Sequence, residues 1–198
     1  MYKKCIKRII SFIFSLVLII ALMPLFLIIS VIIFIDNPGS VLFFQKRIGI
    51  NKTIFKLYKF RSMKMTTPHD TPTHLLKNPD MYITKIGKFL RSTSLDELPQ
   101  LLNILLGQMS FVGPRPALWN QDDLIKERDK YGANNIKPGL TGWAQVNGRD
   151  ELPIEIKAKF DGEYVSKMSL LFDLKCIFLT FKVVFTKEGL KEGGTGGK

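Results

Sequence analysis

The stretch IISFIFSLVLIIALMPLFLIISVIIFI, from Ile9 to Ile35, carries no charged residue and decides what kind of molecule this chain can be. As one straight helix it would measure about 40 Å, against a hydrocarbon core of roughly 30 Å. It is therefore long enough to enter or cross a bilayer. Two details argue against a plain crossing. Pro24 sits at the middle, where it removes a backbone donor and kinks a helix. Basic residues flank both ends, Lys3, Lys4, Lys7 and Arg8 before and Lys46, Arg47 and Lys52 after. The positive-inside tendency cannot satisfy both flanks of a spanning helix. A helix, a break at Pro24 and a returning helix would keep every one of these charges on the cytosolic side. Serines or nearby protein would then have to pair the backbone groups freed at the break. A cleavable signal peptide fits less well, because the apolar run is long and Asp36-Asn37-Pro38-Gly39 reads as a turn.

Working outward, the chain divides into an N-terminal re-entrant membrane helix over residues 1–38 and a cytosolic, membrane-associated domain over 39–198. Val41 to Phe44 and Thr53 to Phe60 read as strands joined by the turn Gly49-Ile50-Asn51-Lys52. Arg61 to Asp80, with Pro68, Pro72 and Pro79, reads as a loop. Helices are expected over Ile83–Arg91, which carries Lys85, Lys88 and Arg91, and over Leu98–Leu106, stopped by Gly107. Asn120 to Tyr131 reads as a charged, solvated helix, Asn134 to Asn147 as a loop, and Leu152 to Lys167 as a helix. Leu170 to Lys187 is rich in Leu, Phe, Val and Ile, and is either a buried terminal helix or an amphipathic one lying in the lipid boundary. The fold class is α+β, predominantly helical with a small β element.

The charge and cysteine content narrow the partners. A net charge of +12 suits nucleic acid, anionic lipid or phosphorylated small molecules, and the apolar N-terminus favours membrane over nucleic acid. Cys5 and Cys176 are too few and too far apart for a disulfide framework or a zinc site, which suits a reducing compartment. His69 and His74 lie in the polar loop without a third soft ligand and read as surface residues.

Chemistry concentrates in Ser94-Leu95-Asp96-Glu97-Leu98-Pro99 and Phe111-Val112-Gly113-Pro114-Arg115-Pro116. Adjacent carboxylates allow one to attack phosphorus or hold a metal while the other handles a proton, and a guanidinium can clamp phosphate oxygens bidentately. The first segment also fits a capping box, so its carboxylates could merely start a helix. Capping by Asp96 would place Pro99 in the tolerated first turn. An aspartate with an ordinary pKa near 4 is ionised at pH 7 and can attack without a separate base. Repulsion from a diphosphate would be relieved by Mg²⁺. Arg115, between two prolines, is either a pre-ordered phosphate clamp or a rigid surface turn. Lys59-Phe60-Arg61 mixes cations with an aromatic. The segments Lys137-Pro138-Gly139-Leu140-Thr141-Gly142-Trp143 and Gln145-Val146-Asn147-Gly148-Arg149 read either as a nucleotide or sugar loop or as a structural cover.

These segments, together with Phe44-Gln45-Lys46-Arg47-Ile48-Gly49 and Tyr58-Lys59-Phe60-Arg61-Ser62-Met63, occur in an order that resembles the bacterial sugar transferase family, the small monotopic phosphoglycosyl transferases. The resemblance covers nearly the whole chain. It implies transfer of a sugar 1-phosphate from a UDP-sugar to a polyprenol phosphate such as undecaprenyl phosphate, with release of UMP. It implies Asp96 as the nucleophile forming a covalent phosphosugar intermediate and as the contact to Mg²⁺, with Glu97 assisting acceptor deprotonation or metal placement. Lys59, Arg91, Arg115 and Arg149 match phosphate-binding positions, Arg61 joins that set beside Lys59, and Pro24 matches the helix break. The implied setting is the cytosolic face of a bacterial inner membrane, at the first membrane step of glycoconjugate assembly, with downstream glycosyltransferases as partners and no nucleic acid. Three departures stand out: Met23 before the proline, Ser11 where an aspartate is usual after Lys7-Arg8, and Thr66-Thr67-Pro68-His69-Asp70 in place of an acidic cluster. The competing readings are a basic membrane tether without catalysis, and a pyrophosphatase using water as acceptor.

Overall fold

The computed structural model describes residues 2–67, 79–148 and 152–186, and the structural statements below concern those residues. A π-helical turn (Tyr2–Ile6) leads into helix α1 (Lys7–Asp36), which is long and apolar enough to cross or enter a membrane. The helix continues through Pro24, so the expected break is not a gap in helical structure. The missing N–H of Pro24 costs one bond of the ladder, while the turns on either side stay apolar and unbranched enough to continue. Ser15 and Ser30 return their hydroxyls to the carbonyls of Phe12 and Phe26, which satisfies two polar groups within an apolar helix.

One stripe of α1 faces the rest of the protein. Ser11, Ser15, Ile29 and Ile33 are buried, and Leu18, Ile19, Leu22, Leu25 and Phe26 pack on the core between them. This spacing of three and four residues is the helical period, so α1 lies against the domain along its length. Its outer face, including Phe14, Ile20, Leu27, Val31 and Ile35, is exposed.

Strands β1 (Leu42–Ile48) and β2 (Ile54–Phe60) form an antiparallel hairpin, with Phe44 opposite Tyr58 and Arg47 opposite Phe55. Strand β1 runs four residues past the expected end, through Gln45, Lys46 and Arg47, because ladder pairing overrides their weak strand preference. The turn places Asn51 and Lys52 at positive φ. Helix α2 (Lys85–Ser92) is capped by Thr84, whose hydroxyl accepts from Gly87 N–H at 2.9 Å. Its buried Leu90 joins Phe60, Ile29 and Ile33 in one core cluster. Helix α3 (Gln100–Leu105) packs on α1 and β2 through Leu101 and Ile104, beside Phe55, Leu57 and Met109.

Strands β3 (Ser110–Val112) and β4 (Gly139–Thr141) form a second, parallel pair. Strand β4 falls in the stretch read as a loop. Three residues bounded by Pro138 and Gly142 give too short a pattern to show periodicity. Glycine explains the pairing: a Cβ on Gly139 would lie 2.1 Å from Gly113 N, and one on Gly142 would lie 2.0 Å from Gly113 O. The two glycine-rich motifs therefore meet backbone to backbone.

Helices α4 (Asp122–Asp129), α5 (Trp143–Val146), α6 (Ile154–Lys167) and α7 (Leu170–Thr186) complete the fold. Helix α4 is not simply solvated: Arg128 is buried and holds Asp161 of α6 at 2.7 Å. Such a pair penalises loss of either partner far more than it stabilises the fold. Helix α7 combines both sequence readings on opposite faces. Asp173 and Cys176 are buried, whereas Leu171 and Phe178 are 80% and 73% exposed. Lys7 Nζ, Tyr2 and Tyr164 all bond Asp173, tying the start of α1 and the first turn of α7 to α6.

Candidate active site

The carboxylate pair occupies a sharp connection between α2 and α3. Helix α2 ends at Ser92, Ser94 adopts a left-handed backbone with φ 57°, and Leu95–Glu97 form a single 3₁₀ turn. Neither Ser94 nor Asp96 caps α3. Its N-cap is Pro99, which lacks only a donor that would go unused there. The left-handed turn directs the Ser94 side chain away from a capping geometry. The capping-box expectation thus fails at the residue that would have started it, and both carboxylates are left to other partners.

Those partners are cations from three different elements. Strand alternation puts Lys59 on the same face of β2 as Phe55 and Leu57, the face packed on α3. Its Nζ lies 2.8 Å from Glu97 Oε1 and 3.8 Å from Asp96 Oδ2. An Arg115 guanidinium nitrogen reaches the same Glu97 Oε1 at 2.9 Å. Arg91, in the last turn of α2, acts electrostatically on Asp96. The Asp96 and Glu97 side chains are only 10% and 12% exposed, whereas that of Arg115 is 32% exposed. Three cations over two carboxylates leave the cluster one positive charge in excess, which suits an incoming anion.

The two carboxyls sit in opposite electrostatic states. Burial alone would raise Glu97, but Arg115 and Lys59 outweigh it through charge and hydrogen bonds and hold it well below the usual range. Burial lifts Asp96 above its ordinary value, Lys59 opposes this, and the neighbouring Glu97 charge adds to the rise. The expectation of an ordinary aspartate is therefore corrected. Its ionisation depends on the surrounding cations, because a buried carboxylate without them is costly.

The Pro114-Arg115-Pro116 segment is held from behind by the hairpin. Arg47 donates to the Pro116 carbonyl at 2.9 Å, and Ile48 N–H donates to Ala117 O at 2.9 Å. Arg115 is thus on an anchored loop and its guanidinium points inward, which decides against a mere surface turn. Trp143 is used in packing: its indole donates to Glu163 at 2.9 Å, and the Lys175 ammonium sits 5.1 Å above the ring. That occupancy favours the structural reading of this loop.

Of the residues expected from sequence, Asp96, Glu97, Lys59, Arg91 and Arg115 come together. Arg61 does not join them; it donates to the Asn37 carbonyl at the end of α1 and senses Asp36. Arg149 lies outside the described residues, as do His69 and His74. Pro24 is exposed on α1. Sequence reasoning missed Asn103, a fully buried amide inside Leu101-Leu102-Asn103-Ile104-Leu105-Leu106. One polar side chain in such an apolar run signals a required hydrogen-bond partner.

No group of three His, Cys, Asp or Glu converges among the described residues. Lys59 approaches Asp96 Oδ2 at 3.8 Å, longer than a hydrogen bond, whereas Glu97 Oε1 is bonded by both Lys59 and Arg115, so Asp96 is the less committed of the two carboxylates. A single carboxylate completed by substrate phosphates and water is a donor set that Mg²⁺ accepts. The residues fit that ion, and Asp96 is the one that would hold it, because Glu97 is committed to Lys59 and Arg115.

A family model described as bacterial sugar transferase matches residues 2–187. The UDP-glucose:undecaprenyl-phosphate glucose-1-phosphate transferase of Escherichia coli is 39% identical over 184 residues, covering 89% of this chain and 39% of that protein. An uncharacterized sugar transferase, EpsL, of Bacillus subtilis is 43% identical over 155 residues, covering 78% of this chain and 75% of its own. The exopolysaccharide production protein ExoY of Sinorhizobium fredii is 35% identical over 197 residues, covering 92% and 87%. The chain thus spans about two fifths of the first relative and most of the other two.

Proposed function

The chain belongs to the bacterial sugar transferase family, and we propose that it moves a sugar 1-phosphate from a UDP-sugar to undecaprenyl phosphate or a similar polyprenol phosphate, releasing UMP. The observation that carries this reading is the buried Asp96–Glu97 pair beneath Lys59, Arg91 and Arg115. The name of the Escherichia coli relative, a UDP-glucose:undecaprenyl-phosphate glucose-1-phosphate transferase, suggests the substrate classes.

In the proposed reaction an Asp96 carboxylate oxygen attacks the sugar-linked phosphorus. The bond from that phosphorus to the bridging oxygen breaks, and UMP leaves with the electron pair. An oxygen of the polyprenol phosphate then attacks the same phosphorus, the acyl–phosphate bond breaks, and the Asp96 carboxylate is regenerated. Arg115, the more exposed cation, meets the donor diphosphate, and Lys59 and Arg91 stabilise charge around Asp96. Glu97, held well below the usual range, is a weak base. Its role here is to anchor Lys59 and Arg115 rather than to take a proton. When bound at Asp96, Mg²⁺ supplies charge neutralisation for the diphosphate. The product would be the first lipid-linked intermediate of a glycoconjugate such as a capsule, exopolysaccharide, O-antigen or glycoprotein glycan, made on the cytosolic face of the inner membrane.

A panel of UDP-sugars, labelled in the sugar-linked phosphate and supplied with polyprenol phosphate in nanodiscs, tests the reading. At least one donor releases UMP and its label partitions into lipid. Label recovered only as water-soluble sugar phosphate would make the protein a pyrophosphatase instead.

We further propose that α1 is re-entrant. Its beginning is tied to the domain by Lys7 on Asp173 and Arg8 on the Ile104 and Leu105 carbonyls. Its end is tied to the same domain by Arg61 on Asn37. A helix bonded to one domain at both ends keeps both ends on one side. In a Cys5→Ser, Cys176→Ser background, single cysteines near residues 2 and 40 in sealed vesicles react equally with an impermeant thiol reagent. Opposite accessibility would overturn the topology.

A further inference from the structure

We propose that Asn103 is a positioning residue: it pairs with the edge of β2 turned away from β1 and so fixes the register between Lys59 and the Asp96–Glu97 turn. The role rests on the reading of that cluster as the transferase site. The Asn103 carboxamide accepts from Tyr58 N–H at 3.0 Å and donates to the Lys56 carbonyl at 2.7 Å. It therefore offers β2 an acceptor and a donor, as the peptide of a further strand would. Tyr58 is the immediate neighbour of Lys59, and Asn103 lies one helical turn into α3, directly after the carboxylate turn.

Helix α3 has only six residues, too few to hold its own orientation. Its place depends on outside contacts, and Asn103 supplies the directional one. Leu101 and Ile104 supply apolar contact, which resists separation but tolerates sliding. A slide of one ångström would pull Lys59 out of its 2.8 Å contact with Glu97. The amide is itself steadied: Nδ2 donates to Gln108 Oε1 at 2.7 Å, and the Asn103 carbonyl accepts from Gln108 and Met109 N–H. Asn103 is fully buried, touches neither carboxylate, and acts through the strand that carries Lys59.

The test couples a kinetic cycle to an activity-independent probe. Asn103→Ser lowers kcat/KM for UMP release by roughly tenfold in the parent background, but by less than about twofold in Lys59→Met, since both changes remove one interaction. Tyr164→Phe, placed on α6, adds its own cost independently in both backgrounds. Amine acetylation read by mass spectrometry should rise at least about threefold at Lys59 in Asn103→Ser, approaching the level in Glu97→Gln, because the charge-assisted contact is lost. Lys7, held by Asp173, should keep its parent reactivity and so reports on general loosening. Gln108→Ala removes only the contact that steadies the amide. It gives the same pattern at smaller amplitude and keeps the test readable where Asn103→Ser does not fold. Additive kinetic costs, or Lys59 and Lys7 rising together, would overturn the proposal in favour of a purely structural amide. Failure of the parent protein to release UMP from any donor would instead remove the transferase reading, while the labelling still reports on the register.

Discussion

Asp96→Asn abolishes turnover, with UMP release falling by roughly four orders of magnitude or more, as expected when a covalent nucleophile is removed. The substitution keeps the shape of the side chain and removes its charge. An amide oxygen cannot form the acyl phosphate, so the first chemical step is lost. Donor binding should move the other way. Lys59, Arg91 and Arg115 then face one carboxylate instead of two, so the site gains attraction for a diphosphate. The expected result is a collapsed kcat in the UMP assay with Mg²⁺, and unchanged or tighter donor binding by calorimetry without it. Intact-mass spectrometry of the parent, supplied with donor and no acceptor, should show an added sugar phosphate that the variant never acquires. A variant releasing UMP at the parent rate would exclude Asp96 as the nucleophile.

That separation of chemistry from binding was legible in the sequence only in part. The carboxylate pair, Arg115 and the apolar run at residues 9–35 stand out because each is a local pattern. The hairpin was visible too, since Thr53 to Phe60 is rich in β-branched and aromatic residues and the turn residues bracket it. What a linear reading cannot supply is which side chains share a partner. Glu97 binds Lys59 and Arg115 through one oxygen, from positions 38 and 18 residues away. Arg61 looks equivalent to Lys59 in Lys59-Phe60-Arg61, yet it turns to the end of α1. Two residues further on, the strand has ended and alternation no longer dictates direction. Strand β4 was missed because glycine contacts rather than propensity define it. The left-handed Ser94 was missed because serine carries no strong preference for that conformation, and the surrounding packing imposes it. Asn103 was the one missed residue with a visible signal, an amide surrounded by leucine and isoleucine.

Glu97→Gln tests how the pair divides its work. The neutral amide can still accept hydrogen bonds but no longer pairs charge with Lys59 and Arg115. Losing two charge-assisted contacts at a buried site costs about 2–4 kcal/mol, or roughly 30- to 10³-fold in kcat/KM. The pH profile distinguishes an anchor from a base. In the parent, burial raises Asp96, Lys59 lowers it, and the Glu97 charge raises it again. Removing that charge withdraws one raising influence, and the cations released from Glu97 become available to Asp96, which lowers it further. The nucleophile must be ionised, so the acid limb of the residual activity should move to lower pH even as the rate falls. A general base at Glu97 would behave differently. Its loss would remove one ionisation from the acid side, leave the Asp96 limb alone, and let added small bases rescue the rate. Because the two carboxyls titrate as a pair, the limb in the parent belongs to both, and the direction of its movement in the variant is the informative quantity. A shift to higher pH would mean that the cations freed from Glu97 do not pass to Asp96, and the anchoring role assigned to Glu97 would fall.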